Sequence, residues 1–318
     1  MATYLSFDIG GTDIKFGIVN AQGDILHRGK VKTASNGKEI IQTIVNIKQE
    51  LEQEFIISGA AFSVPGFVNI ETGYLKSGGA ISDFSEFDFK RILTDKLSLA
   101  VEVENDVNCV ALAEKWLGKA QDISNFVCIT LGTGIGGAIY INNQLIRGHH
   151  SLAGEFGYTF ITYAHETEDK ANETMNMTAS VRDGLRRRYA NDKGISNLEL
   201  ISGKDIFSLA ENGDNIAIKI IDEFYNSIAV GLHNLTFILN PDKIIIGGAI
   251  SERSELIPNV IGKMEQLLTA IPVANKLKFN ELVAIESTSF NNDNGLIGAV
   301  YHFVTMQKQR QSQKISRL

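Results

Sequence analysis

The sequence predicts an α/β protein built from two duplicated domains, and three observations carry that prediction. Residues 7–20, FDIGGTDIKFGIVN, are answered by residues 129–143, ITLGTGIGGAIYINN, each an apolar strand, a glycine-rich tight turn and a second strand. Each hairpin opens its own run of alternating strands and helices, as a repeated unit does. At 318 residues the chain is long enough for two domains, each with a core of its own. Glycine turns of this kind let backbone N–H groups close around a phosphate, so two facing turns suit one shared nucleotide. The first turn lacks the Gly-x-Gly-x-x-Gly order ahead of a helix, and no Gly-Lys-Ser/Thr follows either turn. A dinucleotide fold and a P-loop ATPase are both disfavoured.

After the first hairpin, Ile41, Ile44, Ile47, Leu51 and Phe55 recur at helical spacing with Lys and Glu between them, which predicts an amphipathic crossover helix over 38–55. ISGAAFSVP at 57–65 reads as a buried strand closed by Pro65-Gly66, which begins a loop running to SGGAI at 77–81. Loops at the carboxyl ends of sheet strands hold ligands in α/β proteins. Gly66 and Gly79 are therefore either ligand-facing backbone or ordinary turn glycines. VEVE at 101–104 is the next strand; it runs into Asn105-Asp106 and a helix, VNCVALAEKWLG, that Gly118 finishes. Asn or Asp at such a junction caps the first turn, a contribution of about 1 kcal/mol. A carboxylate there can also face a substrate hydroxyl.

Further on, GHHSLAGEFGYTF at 148–160 holds Glu155 in a glycine-bounded loop, where an isolated Glu is ordinarily solvated. SVRDGLRRRYA at 180–190 reads as a helix with a solvated basic face. Residues 215–239 form a long helix of little polarity, and KIIIGGAIS at 243–251 is a buried strand entering a glycine turn. DNGLIGAVYHFVTMQ is helical and crosses back to the first domain, and the tail QKQRQSQKISRL is polar, basic and expected to fray. The expected division is 1–118 with the helix at about 295–310, against 119–294. No linker composition marks it.

The hydrophobic share of 44% and charged share of 21% are those of a soluble globular protein. A formal charge of −7 argues against a nucleic-acid surface, which needs a clustered positive field. Turn amides and helix N-termini still supply local positive potential for a nucleotide. Cys109 and Cys128 lie in apolar runs and read as buried thiols in a reducing compartment. The N-terminus lacks the basic region and apolar core of a signal peptide, so the expected location is the cytoplasm. The apolar stretch 228–239 follows Asp222 and Glu223 and is closed by Pro241, which predicts a buried helix and no membrane association.

DIGGT at 8–12, ENDVN at 104–108, GTGIGG at 132–137, AGEFGY at 153–158 and IIIGGAIS at 244–251 occur in the order seen in the ROK sugar kinases, and on them the chain resembles that family over roughly its whole length. SGGAISDFSEFD and NETMNMT are most similar to β-glucoside kinases. The resemblance implies two actin-like (ribonuclease H-like) α/β domains facing a central cleft, ATP and Mg²⁺ as cofactors, a small-molecule sugar as the other substrate, and a homodimer. It implies a reaction in which ATP phosphorylates a sugar hydroxyl, the 6-hydroxyl of the glucosyl unit of a β-glucoside such as cellobiose. Glucokinase and N-acetylmannosamine kinase activity are the alternatives within the family.

Carried over residue by residue, the resemblance makes Asp106 the general base and Asn105 a partner of the neighbouring sugar hydroxyls. Asp8 stands near Mg²⁺ through water, and Gly10, Gly11 and Thr12 meet the phosphates. Lys15 either reaches a phosphate or is a solvated strand lysine. Gly132, Thr133 and Gly134 cradle the other side of the phosphate chain, and Gly247, Gly248 and Ala249 lie against the adenosine. Glu155 hydrogen-bonds sugar hydroxyls, and Gly66 and Gly79 become candidates for sugar-facing backbone.

Two departures from the family pattern matter. A His and a cysteine-rich zinc knuckle ordinarily follow the Glu155 segment. Here Tyr158 follows Gly157, no cysteine lies beyond Cys128, and His165 by itself cannot make a zinc site, so no zinc is expected. The place of a second sugar-binding Glu is taken by Asn176, which with Tyr158 alters the surroundings of the anomeric oxygen and makes room for an aglycone. A transcriptional regulator of the family carries a helix-turn-helix ahead of the first hairpin, where only seven residues precede Asp8. A non-catalytic sugar sensor is the remaining rival, and retention of Asp8, Asp106, Glu155 and both hairpins argues against it.

Overall fold

A computed structural model describes residues 2–162, 170–272 and 276–315. The chain forms two compact units: Met1–Asp122, Arg147–Leu152 and Asn292–Leu318 make up unit 1, and Ile123–Ile146 and Ala153–Asn291 make up unit 2. The short segment Arg147–Leu152 thus packs with unit 1, which a single boundary near Gly118 does not anticipate.

Unit 1 contains β1 (Thr3–Ile9), β2 (Asp13–Asn20), β3 (Ile25–Lys32), α1 (Gly37–Leu51), β4 (Ile57–Val64), the small hairpin β5 (Phe67–Asn69) and β6 (Tyr74–Ser77), α2 (Phe89–Leu97), β7 (Val101–Asn105) and α3 (Asp106–Trp116). Its main sheet has the order β3-β2-β1-β4-β7. The first three strands are antiparallel neighbours, and β4 and β7 are parallel to β1. Alternation along β1 divides its side chains between two faces. Leu5, Phe7 and Ile9 join Ile40, Ile44, Phe89 and Leu93 of α1 and α2 in one buried cluster. Ser6 points the other way and donates from Oγ to the Leu296 carbonyl of the C-terminal helix, Asn294–Ile315, at 2.8 Å. There Val19, Ala61 and Cys109 pack with Leu296, Ala299, Val300 and Phe303.

Unit 2 contains β8 (Phe126–Leu131), β9 (Ile135–Ile141), β10 (Gln144–Ile146), α4 (Met175–Ala179), α5 (Arg188–Lys193), α6 (Gly203–Glu211), α7 (Asn215–Leu239), β11 (Lys243–Gly247), α8 (Leu256–Thr269), α9 (Phe279–Leu282) and β12 (Ala284–Ser287). Its sheet runs β10-β9-β8-β11-β12, with the same mixture of antiparallel and parallel neighbours as unit 1. The duplication predicted from two hairpins is therefore a duplication of sheet topology. α7 spans the residues predicted for it; Asp214 caps its start by accepting from Ile216 and Ala217 N–H, and Asn240 ends it in the left-handed region.

Two local expectations are corrected. The tail does not fray at Gln307: the C-terminal helix continues to Ile315, because the buried carboxylate of Glu102 recruits Arg310 and Gln307 as well as Lys90. The basic stretch 181–190 is not a simple solvated face. It starts as wide π-helical turns over Val181–Arg187, and three of its four arginines are engaged, Arg187 with Asp183 at 2.7 Å, Arg188 with Glu223, and Arg186 with the carbonyls of Leu198 and Ile201. Among the described residues no helix is long and apolar enough to cross a membrane.

Candidate active site

In unit 1 the parallel register of three strands sets Asp8, Ser63 and Glu104 in one row, Asp8 opposite Ser63 and Ser63 opposite Glu104, near the carboxyl ends of β1, β4 and β7. Carboxyl ends of parallel strands are where open α/β sheets gather ligand-binding groups. Ser63, not singled out in the sequence, donates from Oγ to Asp8 Oδ1 at 2.7 Å. Its signal was there in the alternation of ISGAAFSV, which places Ala61 and Ser63 on one face. The other Asp8 oxygen lies 3.6 Å from Lys15 Nζ, which also donates to the Asn292 carbonyl at 3.2 Å. Lys15 is thus held beside Asp8, partly exposed at the strand end. Gly295, in the first turn of the C-terminal helix, comes so near that a Cβ there would sit 2.4 Å from Asp8 Cγ.

The turn after β1 is tied down at its base and open at its tip. Gly10 N–H donates to the Asp13 carbonyl at 3.0 Å, and Thr33 bonds both Gly10 and Thr12 carbonyls. Gly11 and Thr12 are exposed, and their amides take no acceptor among the described residues. The turn after β8 repeats this arrangement in unit 2: Gly132 N–H donates to the Gly134 carbonyl at 3.0 Å, the Gly132 carbonyl accepts from Val181 N–H at 2.9 Å, and Thr133 and Gly134 are exposed. Asn176 Oδ1 accepts from Ile135 N–H at 2.8 Å, so α4 holds one arm of this hairpin and Val181, just beyond it, holds the other. Gly247 pairs with Thr130 across the β8–β11 ladder. Gly248, at φ 90°, lies so close to the Leu131 carbonyl that a Cβ would be 2.2 Å from its oxygen. Ala249 opens the short turn that follows. The second hairpin and the Gly247–Ala249 strand end are thus neighbours within unit 2.

The strand-to-helix junction of unit 1 carries Asn105 and Asp106. Asn105 Oδ1 caps α3 by accepting from Val107 and Asn108 N–H at 2.9 and 3.1 Å. Its Nδ2 donates to the Gly66 carbonyl at 3.0 Å and to Asp106 Oδ1 at 2.9 Å. All four hydrogen-bonding positions of the Asn105 amide are committed, so a sugar hydroxyl reaching it must take over one of these bonds. Asn105 carries the cap, and the half-buried Asp106 is held through Oδ1 by Asn105 Nδ2 and by Val107 N–H, each at 2.9 Å. Gly66, at φ 93°, and Gly79, at φ 55°, lie against each other at the base of the loop that carries the β5–β6 hairpin, where a Cβ on Gly66 would overlap the Ser77 carbonyl. The same loop brings Ala80 against Gly11.

In unit 2, Gly154 and Gly137 approach closely, and Gly137 also accommodates the Phe156 ring. This packing sets the turn that carries Glu155, whose carboxyl is pushed above its ordinary value by burial. Tyr158 is 67% exposed. Gly157 lies near Asn176, so α4 touches both the Glu155 segment and the second hairpin. His165 lies outside the described residues. A separate cavity of about 590 Å³ in unit 2 holds none of these residues. Arg187 and Lys263 in its wall pair with Asp183 and Asp222 at 2.7 and 2.6 Å, which leaves little unbalanced charge for a ligand.

The ROK family model matches residues 4–305. The β-glucoside kinase of Listeria monocytogenes is 38% identical over 310 residues, spanning 96% of this chain and 99% of its own. The crystal structure of a ROK family protein from Streptococcus pneumoniae TIGR4 in complex with sucrose is 31% identical, with a TM-score of 0.82 over 96% of this chain and 99% of that one. A ROK family glucokinase from Streptomyces griseus in complex with glucose and AMPPNP is 26% identical, with a TM-score of 0.77 over 94% of this chain and 98% of that one. With the family pattern running through both hairpins, the Asn105–Asp106 junction and the Glu155 segment, this chain belongs to the ROK family.

Proposed function

We propose that this protein transfers the γ-phosphoryl group of ATP to a hydroxyl of a sugar, and that its preferred acceptor is a β-glucoside. The observation that carries the reading is the pair of glycine hairpins with exposed turn tips, together with a carboxylate fixed at a strand end by a capping amide. Asp106 accepts the proton of the 6-hydroxyl as that oxygen attacks phosphorus. Glu155, together with backbone near Gly66 and Gly79, orients the ring. The tip amides of both turns neutralise phosphate charge where it develops. Asp8 fits Mg²⁺ arriving with ATP. It is a hard oxygen donor at the mouth of a strand, steadied by Ser63 and partly exposed, as a water-mediated contact requires.

Preference for a glycoside rests on Asn176. Ile135 N–H fixes its amide oxygen, so the nitrogen is presented as the remaining donor. The anomeric oxygen of a glycoside only accepts hydrogen bonds, which an amide nitrogen satisfies and a carboxylate does not. A free anomeric hydroxyl can donate, and suits the Glu that the family places there. The likeness to β-glucoside kinases at 38% identity supports the same choice.

The test is ADP release measured with glucose, N-acetylmannosamine, cellobiose and gentiobiose. The disaccharides should show the highest kcat/KM, and Asn176→Glu should move preference toward glucose by about ten-fold. No ADP release with any sugar refutes kinase activity. Equal kcat/KM for glucose and cellobiose refutes the glycoside assignment alone.

A further inference from the structure

The Asp106 junction is not anchored only by its own cap. Two residues earlier, Glu104 is 1% exposed and holds four donors. One oxygen accepts from Asn105 N–H at 2.9 Å and Asn108 Nδ2 at 3.0 Å. The other takes Arg147 through both Nε, at 2.8 Å, and Nη2, at 2.5 Å. His302 Nδ1 stands 3.6 Å from that same oxygen. Burial holds His302 below its ordinary pKa, so Arg147 is the cation that faces Glu104 directly. Burial alone would raise the Glu104 carboxyl, but the Arg147 charge and bonds bring it below the usual value, so it is an anion at neutral pH.

Arg147 comes from Arg147–Leu152, the segment that packs with unit 1 although the chain on either side of it belongs to unit 2. A guanidinium gripping a carboxylate with two N–H groups fixes orientation as well as charge, and an ammonium cannot do this. We propose that Arg147 is a positioning residue for phosphoryl transfer: by clamping Glu104 it fixes the backbone of Asn105 and thereby the aim of the Asp106 carboxylate. This rests on the reading of Asp106 as general base. The chain of bonds is short, from Arg147 to Glu104, from Glu104 to Asn105 N–H, and from Asn105 Nδ2 to Asp106 Oδ1. A displacement on the order of 1 Å at a proton acceptor costs about 100-fold in rate.

The experiment compares full-length Arg147→Met, Arg147→Lys, Glu104→Gln/Arg147→Met and Asp106→Asn by melting temperature and by steady-state kinetics with cellobiose and ATP. Arg147→Met leaves a buried carboxylate without its cation and should lose both stability and rate. The double variant removes both charges. It should recover the melting temperature while kcat stays about 30–100-fold low and KM for ATP stays within about two-fold. Arg147→Lys should keep the fold and recover only part of kcat. A double variant with parental melting temperature and parental kcat overturns the proposal, because the pair then serves only to neutralise buried charge. Should the double variant not fold, Arg147→Lys decides: parental kcat in a stable protein overturns the proposal equally. Asp106→Asn separates the two readings. If it retains parental kcat the general-base assignment fails and the proposal with it, whereas an inactive Asp106→Asn beside a fully active double variant defeats only the role of Arg147.

Discussion

Burial gives Glu155 a pH signature that an exposed carboxylate lacks. Its carboxyl is held above the ordinary value, so the residue keeps its proton to higher pH than a solvated Glu. In the proposed role the ionised carboxylate is the stronger acceptor for sugar hydroxyls, since protonation removes its charge and turns one oxygen into a donor. kcat/KM for the sugar should therefore be full above the raised pKa and fall as pH drops through it. Glu155→Gln should remove that acid limb and lower kcat/KM by about 10–100-fold, the worth of a hydrogen bond to a charged group. An acid limb that persists unchanged in Glu155→Gln contradicts the assignment. Asp106, Glu155 and both hairpins stand out in the sequence because glycine turns and isolated carboxylates are local signals. Ser63, Glu104 and Arg147 do not. Ser63 and Glu104 gain their meaning from strand register, and Arg147 from a contact across 43 positions of sequence.

At the scale of elements, the helices that read clearly are those whose apolar spacing and end signals agree, as in α1 and α7. Those that misled are governed by distant partners, namely the π-helical turns over Val181–Arg187 and the C-terminal helix beyond Gln307. The contact between α3 and the C-terminal helix depends on Gly298, where a Cβ would fall 1.8 Å from the Cys109 carbonyl oxygen. Gly298→Ala cannot be relieved by rotating a side chain, since the neighbour is backbone. It should destabilise the protein by about 1–3 kcal/mol or more, read from a lowered urea midpoint. An unchanged midpoint shows that the two helices can separate without loss. Arg310→Ala strips Glu102 of one of its cations and should lower stability by about 1–3 kcal/mol through the buried carboxylate it leaves less satisfied.

At the scale of the molecule, the duplication is visible twice, as two hairpins in the sequence and as two sheets with matching strand order. The membership of Arg147–Leu152 in unit 1 was not legible, because nothing in its composition distinguishes it from the loop that follows. Unit 1 draws on three separate stretches of chain, and its second apolar cluster has Leu296, Ala299, Val300 and Phe303 on the C-terminal helix. A chain ending at Asn291 should therefore lose amide-exchange protection throughout β1, β4 and α3 while β8 and α7 of unit 2 stay protected. Persistent protection of β1 shows that unit 1 does not need the helix.

That arrangement has a consequence for biosynthesis. A nascent chain exposes the strands of unit 1 first, then emits all of unit 2 before the helix that covers one face of the earlier sheet leaves the ribosome. At typical translation rates the interval between Asp122 and Asn292 lasts roughly 10–30 s. During that wait the face bearing Val19, Ala61 and Cys109 has no permanent cover, which makes it the surface on which a chaperone would act.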